Sequence, residues 1–400
     1  MKDLKSFNGQ RLKTARTIKG LSVAEFAEKI GVQRQTVSMY ENNKISEPDY
    51  FRVQKMSQVL DFPIDFFLDA QDDKVETSNA VYFRSLLTTN KKYRYEQQVK
   101  INFVSIIYAY ISEYISFPAL NLPDRSEISS IEEAAEKLRD CWGLGRGPID
   151  NLIHYVEQQG IIVTSFSTTT SDIDAFSQRL SIDGDERYVI AVSNNKDTAS
   201  RLHFDIAHEL GHILLHDWED DIELLSPSDF REHEQQANEF ASAFLLPKDT
   251  FAKDVGKYAG VFNYYIELKK KWKVSIAAMI RRSMTLGLIN YEKYQSMMRY
   301  MQKLGIRKHE PLDDTLITAK PALLKTAVEM LLNGNVLTPR EFMQELSMDY
   351  NLTLYPEQVE DLLGLISGTL KEKSIPLVFN LKLKDNNTDE SDDKNSNTGA

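Results

Sequence analysis

The 400-residue sequence contains little that could cross-link or anchor it. Its single cysteine, Cys141, cannot form a disulfide within the chain. No apolar run approaches the ~20 residues that a membrane-spanning helix needs, and the N-terminus lacks the apolar core of a signal peptide. These absences argue against a disulfide scaffold and a spanning helix, and we expect a cytoplasmic protein in a reducing environment.

Charge is distributed unequally along the chain. The whole sequence holds 48 Lys and Arg against 59 Asp and Glu, a formal net charge of −11. Residues 1–60 hold 11 Lys and Arg against 6 Asp and Glu, so this part carries +5 and the remainder carries −16. The N-terminal part is therefore suited to a polyanion, and the acidic remainder argues against nonspecific nucleic-acid binding elsewhere.

The mainly apolar segment from Arg201 to His216 contains the pattern His208-Glu-Leu-Gly-His212. Apolar residues recur along it with a helical period, so a helix is predicted. Two histidines four residues apart project from one helix face, and both can reach a single cation. Glu209 would then act as general base toward a water molecule at that cation. The alternative is an ordinary amphipathic helix with histidines on its surface.

A second predicted helix offers Glu234, 22 positions after His212. A catalytic zinc site uses three protein ligands, and His/His/Glu is one of the standard sets, so Glu234 is predicted as the third ligand. Asn238, one turn further along, is predicted to hydrogen-bond a ligand imidazole. His216 could bind substrate or stabilise an oxyanion, although an ordinary histidine at a helix end is the simpler interpretation. Three neighbours are more typical of solvated helix surface than of ligands: Glu232, His233 and Glu239.

The His-Glu-Leu-Gly-His helix, followed by Glu234-Gln-Gln-Ala-Asn-Glu-Phe-Ala and then Leu-Leu-Pro247, resembles the signature of the ImmA/IrrE family of metallopeptidases. The resemblance implies a gluzincin-like core, metal ligation by His208, His212 and Glu234, and general base chemistry by Glu209. Several members of that family cleave a repressor protein encoded near them, which implies a regulatory protease. Zinc is the default metal, and such a site also accepts manganese or iron.

The N-terminal segment has the pattern of a helix-turn-helix. Ser22 is a plausible N-cap with Glu25 three residues later, and Gly31 supplies the tight turn before the second helix. In that second helix Val37 and Tyr40 are predicted to face inward. Four polar residues are predicted to face outward, where amides and a guanidinium can contact base edges in the major groove: Gln33, Arg34, Gln35 and Ser38.

This segment resembles the Cro/C1 (XRE) family over roughly its first 67 residues. Val23 stands where many members carry a phosphate-contacting glutamine, and Asn43 replaces the usual glycine after the recognition helix. Asn tolerates the left-handed conformation, so the lost phosphate contact is the departure that weakens affinity. The resemblance implies double-stranded operator DNA as a partner and a homodimer bound to paired half-sites.

The fold class predicted from these patterns is α+β and mainly helical, with a small mixed sheet in the catalytic part. An all-α helix-turn-helix domain is followed by a zincin-like metallopeptidase core and a C-terminal helical region. The predicted boundaries are a DNA-binding domain at 1–68, a linker at 69–80, a helical connector at 81–130, the peptidase domain at 131–300, C-terminal helices at 301–384 and a disordered tail at 385–400.

The sequence therefore predicts a transcriptional regulator that carries a metal-dependent endopeptidase and cleaves a repressor or its own linker. The self-cleavage hypothesis concerns the stretch between Asp69 and Glu96. The strand predicted from Glu186 to Val192 is interpreted either as the edge on which an extended peptide lies or as ordinary core sheet. Two other hypotheses stay open, a non-proteolytic transcription factor that senses a ligand or metal, and an antitoxin that holds a toxin without cutting it.

Overall fold

The computed structural model describes residues 6–44, 48–68, 75–83, 91–166, 175–182, 184–193, 198–218, 225–316 and 319–372, with the backbone alone at 75–83 and 91–93. The predicted tail at 385–400 and much of the predicted self-cleavage stretch lie outside these residues. The predicted fold class is confirmed, because an N-terminal helix-turn-helix region is followed by a region of helices with a small mixed sheet and by C-terminal helices.

Sixteen α-helices are found in the part of the chain that the structure describes. They are α1 Gly9–Ile18, α2 Val23–Ile30, α3 Arg34–Glu41, α4 Tyr50–Leu60, α5 Lys91–Ser112, α6 Ile131–Cys141, α7 Leu152–Gln158, α8 Ala199–Leu215, α9 Pro227–Leu245, α10 Lys248–Val255, α11 Phe262–Trp272, α12 Ile276–Thr285, α13 Tyr291–Lys303, α14 Leu323–Asn333, α15 Pro339–Met348 and α16 Pro356–Leu363. None of the helices described is both long enough and apolar enough to cross a membrane.

Four strands form one mixed sheet in the order β1-β3-β4-β2. Their bounds are β1 Val75–Phe83, β2 Ile162–Phe166, β3 Ala175–Ile182 and β4 Asp185–Ser193. β3 pairs antiparallel with both β1 and β4, and β2 pairs parallel with β4. The strand predicted at 186–192 is therefore an interior strand, and the interpretation of it as a peptide-binding edge is wrong because both of its sides are already paired.

The stretch assigned to a linker also differs from the sequence-based interpretation. Residues 75–80 form the first part of β1, and the helix α5 does not begin until Lys91. Residues 69–74 lie outside the described part of the chain. The pairing of β1 with β3 shifts register between Thr77 and Val81, so the ladder between the two strands is irregular there. This segment therefore adds a strand to the sheet beside β3.

The helix-turn-helix unit forms as its local signals indicate. Ser22 and Glu25 make a capping box at the start of α2, with each side chain bonded to the other residue's backbone N–H. Gly31 ends α2 in the left-handed conformation at φ 72°. Val37 and Tyr40 on α3 are buried, as predicted. These contacts set α3 across α2 with its polar side outward.

The sheet separates two apolar cores. Side chains along β4 alternate between them, with Val189 and Ala191 in one core and Tyr188 and Ile190 in the other. The first core combines the helix-turn-helix residues with α5 and α14–α16. The second combines α6–α13, and it contains the helices that carry the predicted metal ligands. α5 and the sheet therefore lie between the helix-turn-helix and the helices that carry the predicted metal ligands.

The C-terminal helices contact the DNA-binding part directly. The Arg11 guanidinium in α1 donates to the carbonyl of Asn351 at 2.8 Å, and the Gln358 amide in α16 donates to the carbonyl of Asp61 at 2.8 Å. Tyr110 of α5 donates to Glu345 of α15 at 3.0 Å. These contacts give α14–α16 a structural role, because they hold α1 and α4 against α5.

Candidate metal centre and DNA-binding surface

Helix α8 places the two predicted histidine ligands on one buried face. His208, Glu209 and His212 each have a side chain with no exposed surface. The Nε2 atoms of His208 and His212 lie 3.0 Å apart, as the one-turn spacing predicts. A polar cluster buried this completely needs partners that satisfy it, so an ordinary surface histidine pair is excluded.

Helix α9 brings the third predicted ligand to the same point. Glu234 lies with one carboxylate oxygen 3.5 Å from His208 Nε2 and the other 3.3 Å from His212 Nε2. The two helices can approach closely because Gly211 has no side chain. A Cβ at Gly211 would lie only 3.0 Å from the Cα of Ala237 on α9. Gly211 thus allows the helix separation at which Glu234 reaches the histidines.

These three side chains fit a divalent metal ion. Their ligand atoms lie within 4.8 Å of one another and form a group that could hold such an ion. Zinc binds nitrogen at about 2.0–2.1 Å in tetrahedral sites, which separates neighbouring ligand atoms by roughly 3.3 Å. The observed separations of 3.0, 3.3 and 3.5 Å are close to that value. The spacing and the donor set therefore both suit zinc.

The protonation of the cluster also suits a cation. Burial lowers the pKa of His212 to about 4, so its ring is neutral at neutral pH. Burial alone would raise the pKa of Glu234, but the facing imidazoles of His208 and His212 outweigh it and lower that pKa to about 2. His212 therefore offers a lone pair and Glu234 offers a negative charge, as metal ligation requires.

Glu209 is held from the sheet side of the cluster. The Ser177 hydroxyl on β3 donates to Glu209 Oε2 at 2.6 Å, and both groups are buried. Ser177 was missed by the sequence analysis, because nothing local marks one serine of a strand as the neighbour of a glutamate 32 positions later. The register partner of Ser177 on β1 is Tyr82. β1 is an edge strand of the sheet, and it therefore runs beside Ser177, the residue that contacts Glu209.

Asn238 does not make the predicted contact with an imidazole. Its amide donates instead to the backbone carbonyl of Glu234, one turn earlier in α9, at 2.6 Å. The physical reason is that a short amide side chain within a helix reaches its own preceding turn more readily than a neighbouring helix. Asn238 thus contacts the backbone of a predicted ligand and not a ligand ring.

The three competing residues lie outside the cluster. Glu232 accepts a hydrogen bond from the amide of Gln236 at 3.1 Å, and Glu239 accepts one from Gln235 at 2.9 Å. His233 stacks on His216 with ring centroids 4.1 Å apart. The interpretation of Glu232 and Glu239 as exposed surface agrees with these positions, whereas His233 is partly buried.

His216 is not an ordinary helix-end residue. Its Nδ1 lies 2.9 Å from His212 Nδ1, and its Nε2 lies 3.0 Å from the amide oxygen of Gln236. The ring is almost fully buried, and burial together with the neighbouring histidines lowers its pKa to about 2. Gln236 was missed by the sequence analysis, since one glutamine among several polar residues of α9 gives no local signal.

The four residues predicted to face DNA lie together on the exposed side of α3 and at its N-terminus. Gln33, Arg34, Gln35 and Ser38 are all exposed. Asn43 has the predicted left-handed conformation at φ 52°, and its side-chain oxygen accepts the backbone N–H of Gly9 at 2.9 Å. The predicted surface is therefore available to a duplex.

A buried ion pair orients α3 within this unit. The Arg16 guanidinium of α1 contacts the Glu41 carboxylate of α3 through two hydrogen bonds of 2.5 and 3.0 Å. The planar guanidinium matches the carboxylate, so the pair resists rotation of one helix against the other. The pair joins residues 25 positions apart, and sequence pattern alone did not predict it.

Comparison with known proteins agrees with both predicted regions. Residues 156–284 match the family model described as IrrE N-terminal-like domain, and residues 12–67 match the model described as helix-turn-helix. The chain is 38% identical over 65 residues to the HTH-type transcriptional regulator SinR of Bacillus licheniformis and equally to SinR of Bacillus subtilis (strain 168). It is 42% identical over 60 residues to an uncharacterised HTH-type regulator, YonR, of a Bacillus subtilis prophage.

These matches cover part of each protein. The aligned region is 16% of this chain and 59% of either SinR, and 15% of this chain and 55% of YonR. The relatives thus support the N-terminal region, and the second family model supports the region with the His/His/Glu cluster. Residues 12–67 are thus similar to XRE-type helix-turn-helix regulators, and residues 156–284 are similar to the IrrE/ImmA-like peptidase domain.

Proposed function

We propose that the protein is a cytoplasmic DNA-binding transcriptional regulator whose second domain is a metal-dependent endopeptidase. The observation that carries the proposal is the cluster formed by His208, His212 and Glu234, with the buried Glu209 beside it. The substrate is a repressor protein or the chain itself. We further propose that the protein binds its operator as a homodimer, the usual arrangement for paired half-sites.

The chain's own residues have distinct parts in this proposal. His208, His212 and Glu234 would hold zinc, with manganese as a second choice. When bound, such an ion polarises the scissile carbonyl and makes a nearby water more acidic. Glu209 accepts the proton of the attacking water and delivers it to the leaving amine nitrogen. The Ser177 hydroxyl holds Glu209 in place at 2.6 Å.

We propose that an extended peptide binds along the edge of the sheet beside β3. Peptides commonly bind by adding a strand to a sheet edge. β1 already occupies this edge as an added strand would: it pairs antiparallel with β3, and Tyr82 is the register partner of Ser177. β1 also lies within the stretch from Asp69 to Glu96 proposed for self-cleavage. Either this strand is itself presented for cutting, or it leaves when a repressor segment takes its position.

Metal content tests the proposed cluster. We expect about one zinc per chain in the purified wild type and none in His208→Ala, since two remaining ligands hold zinc poorly. His154→Ala serves as the control because His154 is exposed on α7, far along the chain from the cluster. Native mass spectrometry measures the metal, and intact mass in the same samples records any cut. A metal-free wild type, or equal metal in His208→Ala, would contradict the site assignment.

A second candidate is a non-proteolytic transcription factor, or an antitoxin, that uses the same fold to sense a metal or ligand. The complete burial of His208, Glu209 and His212 favours it, because a closed cluster can hold an ion without receiving a peptide. In that case metal would change operator affinity, while neither the chain nor any candidate repressor would be cut. Cleavage that depends on Glu209 would exclude it.

Operator binding is expected to depend on Arg34. Arg34→Ala should raise the operator dissociation constant by about 5- to 150-fold, the equivalent of roughly 1–3 kcal/mol for a bidentate contact to guanine. Arg299→Ala removes the same charge from exposed surface of α13 and should have little effect. The operator is first selected from random duplexes with the full chain, and affinity is measured by fluorescence anisotropy. Equal affinities of the two variants would refute the assigned surface.

A further inference from the structure

A row of four side chains extends from the ring nitrogen of His212 that faces away from Glu234. His212 Nδ1 lies 2.9 Å from His216 Nδ1, and His216 Nε2 lies 3.0 Å from Gln236 Oε1. The row ends where Gln236 Nε2 donates to a carboxylate oxygen of Glu232 at 3.1 Å. α8 supplies the two histidines and α9 supplies the other two residues.

The chemistry of these groups gives every hydrogen bond in the row one direction. An ionised carboxylate only accepts, so Glu232 turns the NH₂ end of Gln236 toward itself and the amide oxygen toward His216. That oxygen also only accepts, and His216 must therefore carry its proton on Nε2. A neutral imidazole has one N–H, which leaves His216 Nδ1 as an acceptor. His212 must then donate from Nδ1, and its unprotonated Nε2 faces His208 and Glu234.

The unprotonated Nε2 of His212 faces the proposed metal position. His212 Nε2 lies 3.0 Å from His208 Nε2 and 3.3 Å from Glu234, inside the cluster that fits zinc. The other tautomer would point an N–H at the cation and would leave two acceptors facing each other between His212 and His216. His233 stacks on His216 at 12° between ring planes, which restricts rotation of the His216 ring. The row is therefore geometrically constrained as well as directional.

We propose that His216 and Gln236 are positioning residues that select the metal-binding tautomer of His212, with Glu232 setting the direction of the row. The inference rests on the metal site of the proposed function and adds to it. It assigns a role to a histidine and a glutamine that lie outside the group of three candidate metal ligands. A hydrogen-bonded partner on the second ring nitrogen commonly raises the metal affinity of a histidine ligand.

Zinc affinity of the full chain tests the role. Gln236→Met keeps side-chain volume but removes the acceptor, and it should weaken zinc binding by about 10- to 100-fold, with a similar loss in His216→Phe. Gln236→Glu keeps an acceptor toward His216 and should stay within a few-fold of wild type. Gln235→Met is the matched control, because Gln235 is the preceding residue and its amide donates to the exposed carboxylate of Glu239. Competition with a chromophoric zinc chelator gives the dissociation constants.

A purely structural role would give a different pattern of results. It would lower the melting temperature of metal-free Gln236→Met while leaving its zinc affinity equal to that of Gln235→Met, and this outcome would overturn the proposal. Gln236→Glu binding as weakly as Gln236→Met would also overturn it, because the acceptor would then be irrelevant.

The tautomer itself can be read without metal or catalysis. Long-range ¹H–¹⁵N spectra of histidine-labelled, metal-free chain should show His212 protonated on Nδ1 in the wild type and a mixture of tautomers in Gln236→Met. A wild-type His212 protonated on Nε2 would refute the row. Absence of peptide cleavage would count against the proposed endopeptidase. It would not affect the spectra or the zinc affinities, which test the positioning role of His216 and Gln236 separately. Failure of one proposal can therefore be distinguished from failure of the other.

Discussion

Replacing Glu209 by glutamine is expected to lower the rate of peptide-bond cleavage by about 10²- to 10⁴-fold, the usual contribution of a general base. The amide has nearly the same shape as the carboxylate but cannot accept the proton of the attacking water. Ser177 can still donate to the amide oxygen, so the local packing is preserved. Metal content should stay at the wild-type level, since Glu209 is not among the three residues that meet at the metal position.

The matched control for this prediction is Glu239→Gln. It makes the same chemical change on the neighbouring helix α9, where the carboxylate is exposed. Cleavage of the chain and of candidate repressors is followed by intact mass at saturating metal, with circular dichroism to check the fold. If Glu209→Gln cuts as fast as Glu239→Gln, Glu209 is not the base. If no variant and no wild-type sample cuts anything, while metal alters operator affinity, the sensing hypothesis replaces the peptidase.

The predicted ligands could be read from the sequence because their geometry is local. His208 and His212 lie one turn apart on a single helix, and that separation follows from helical rise alone. Glu234 was predicted because a catalytic zinc site needs a third protein ligand, and the resemblance of its segment to the family signature implied the same residue. Ser177 and Gln236 could not be found in this way, because each contacts the cluster only after β3 and α9 have packed against α8.

The place of a strand within the sheet could not be predicted from that strand's own residues. The strand at 186–192 was recognised from its β-branched and aromatic residues, but whether a strand is interior depends on its neighbours. One of these, β2, is separated from it along the chain by β3. Residues 75–80 of β1 were mistaken for part of a linker, because the segment is polar and shows no apolar period, and its pairing with β3 is seen only in the folded structure.

The helix-turn-helix was predictable in more detail for a related reason. Ser22, Gly31 and Asn43 each act on their own turn of the chain, through a cap or a left-handed backbone. The pair of Arg16 and Glu41 was not predicted, although it orients the helix that carries the DNA-facing residues. Local signals therefore gave the elements, whereas the contacts that set their relative orientation needed the folded structure.

Lys269→Met is expected to lower the free energy of unfolding of the peptidase core by about 3–5 kcal/mol, the usual cost of breaking a buried ion pair on one side. Lys269 is fully buried in α11 and donates to Glu310 at 2.8 Å and to Asp313 at 2.6 Å. Without it, two buried carboxylates face each other with no cation. Glu310 also accepts the backbone N–H of Ile276 at the start of α12, so the loss should spread to that helix.

Lys270→Met provides the comparison for this variant, because Lys270 is the next residue, is exposed and, among the described residues, pairs with Glu267 on the same helix. Exposed pairs of this kind contribute about 0–1 kcal/mol, so its urea midpoint should nearly match wild type.

All three tryptophans of the chain lie in the core that contains α11, which makes intrinsic fluorescence a reporter of this core alone. Equal midpoints for the two variants would show that Glu310 and Asp313 do not need Lys269. A lower midpoint for Lys269→Met alone would show that this buried pair links the loop at 310–313 to the helices beside the metal centre, since Asp313 also accepts from Ser200 at the start of α8.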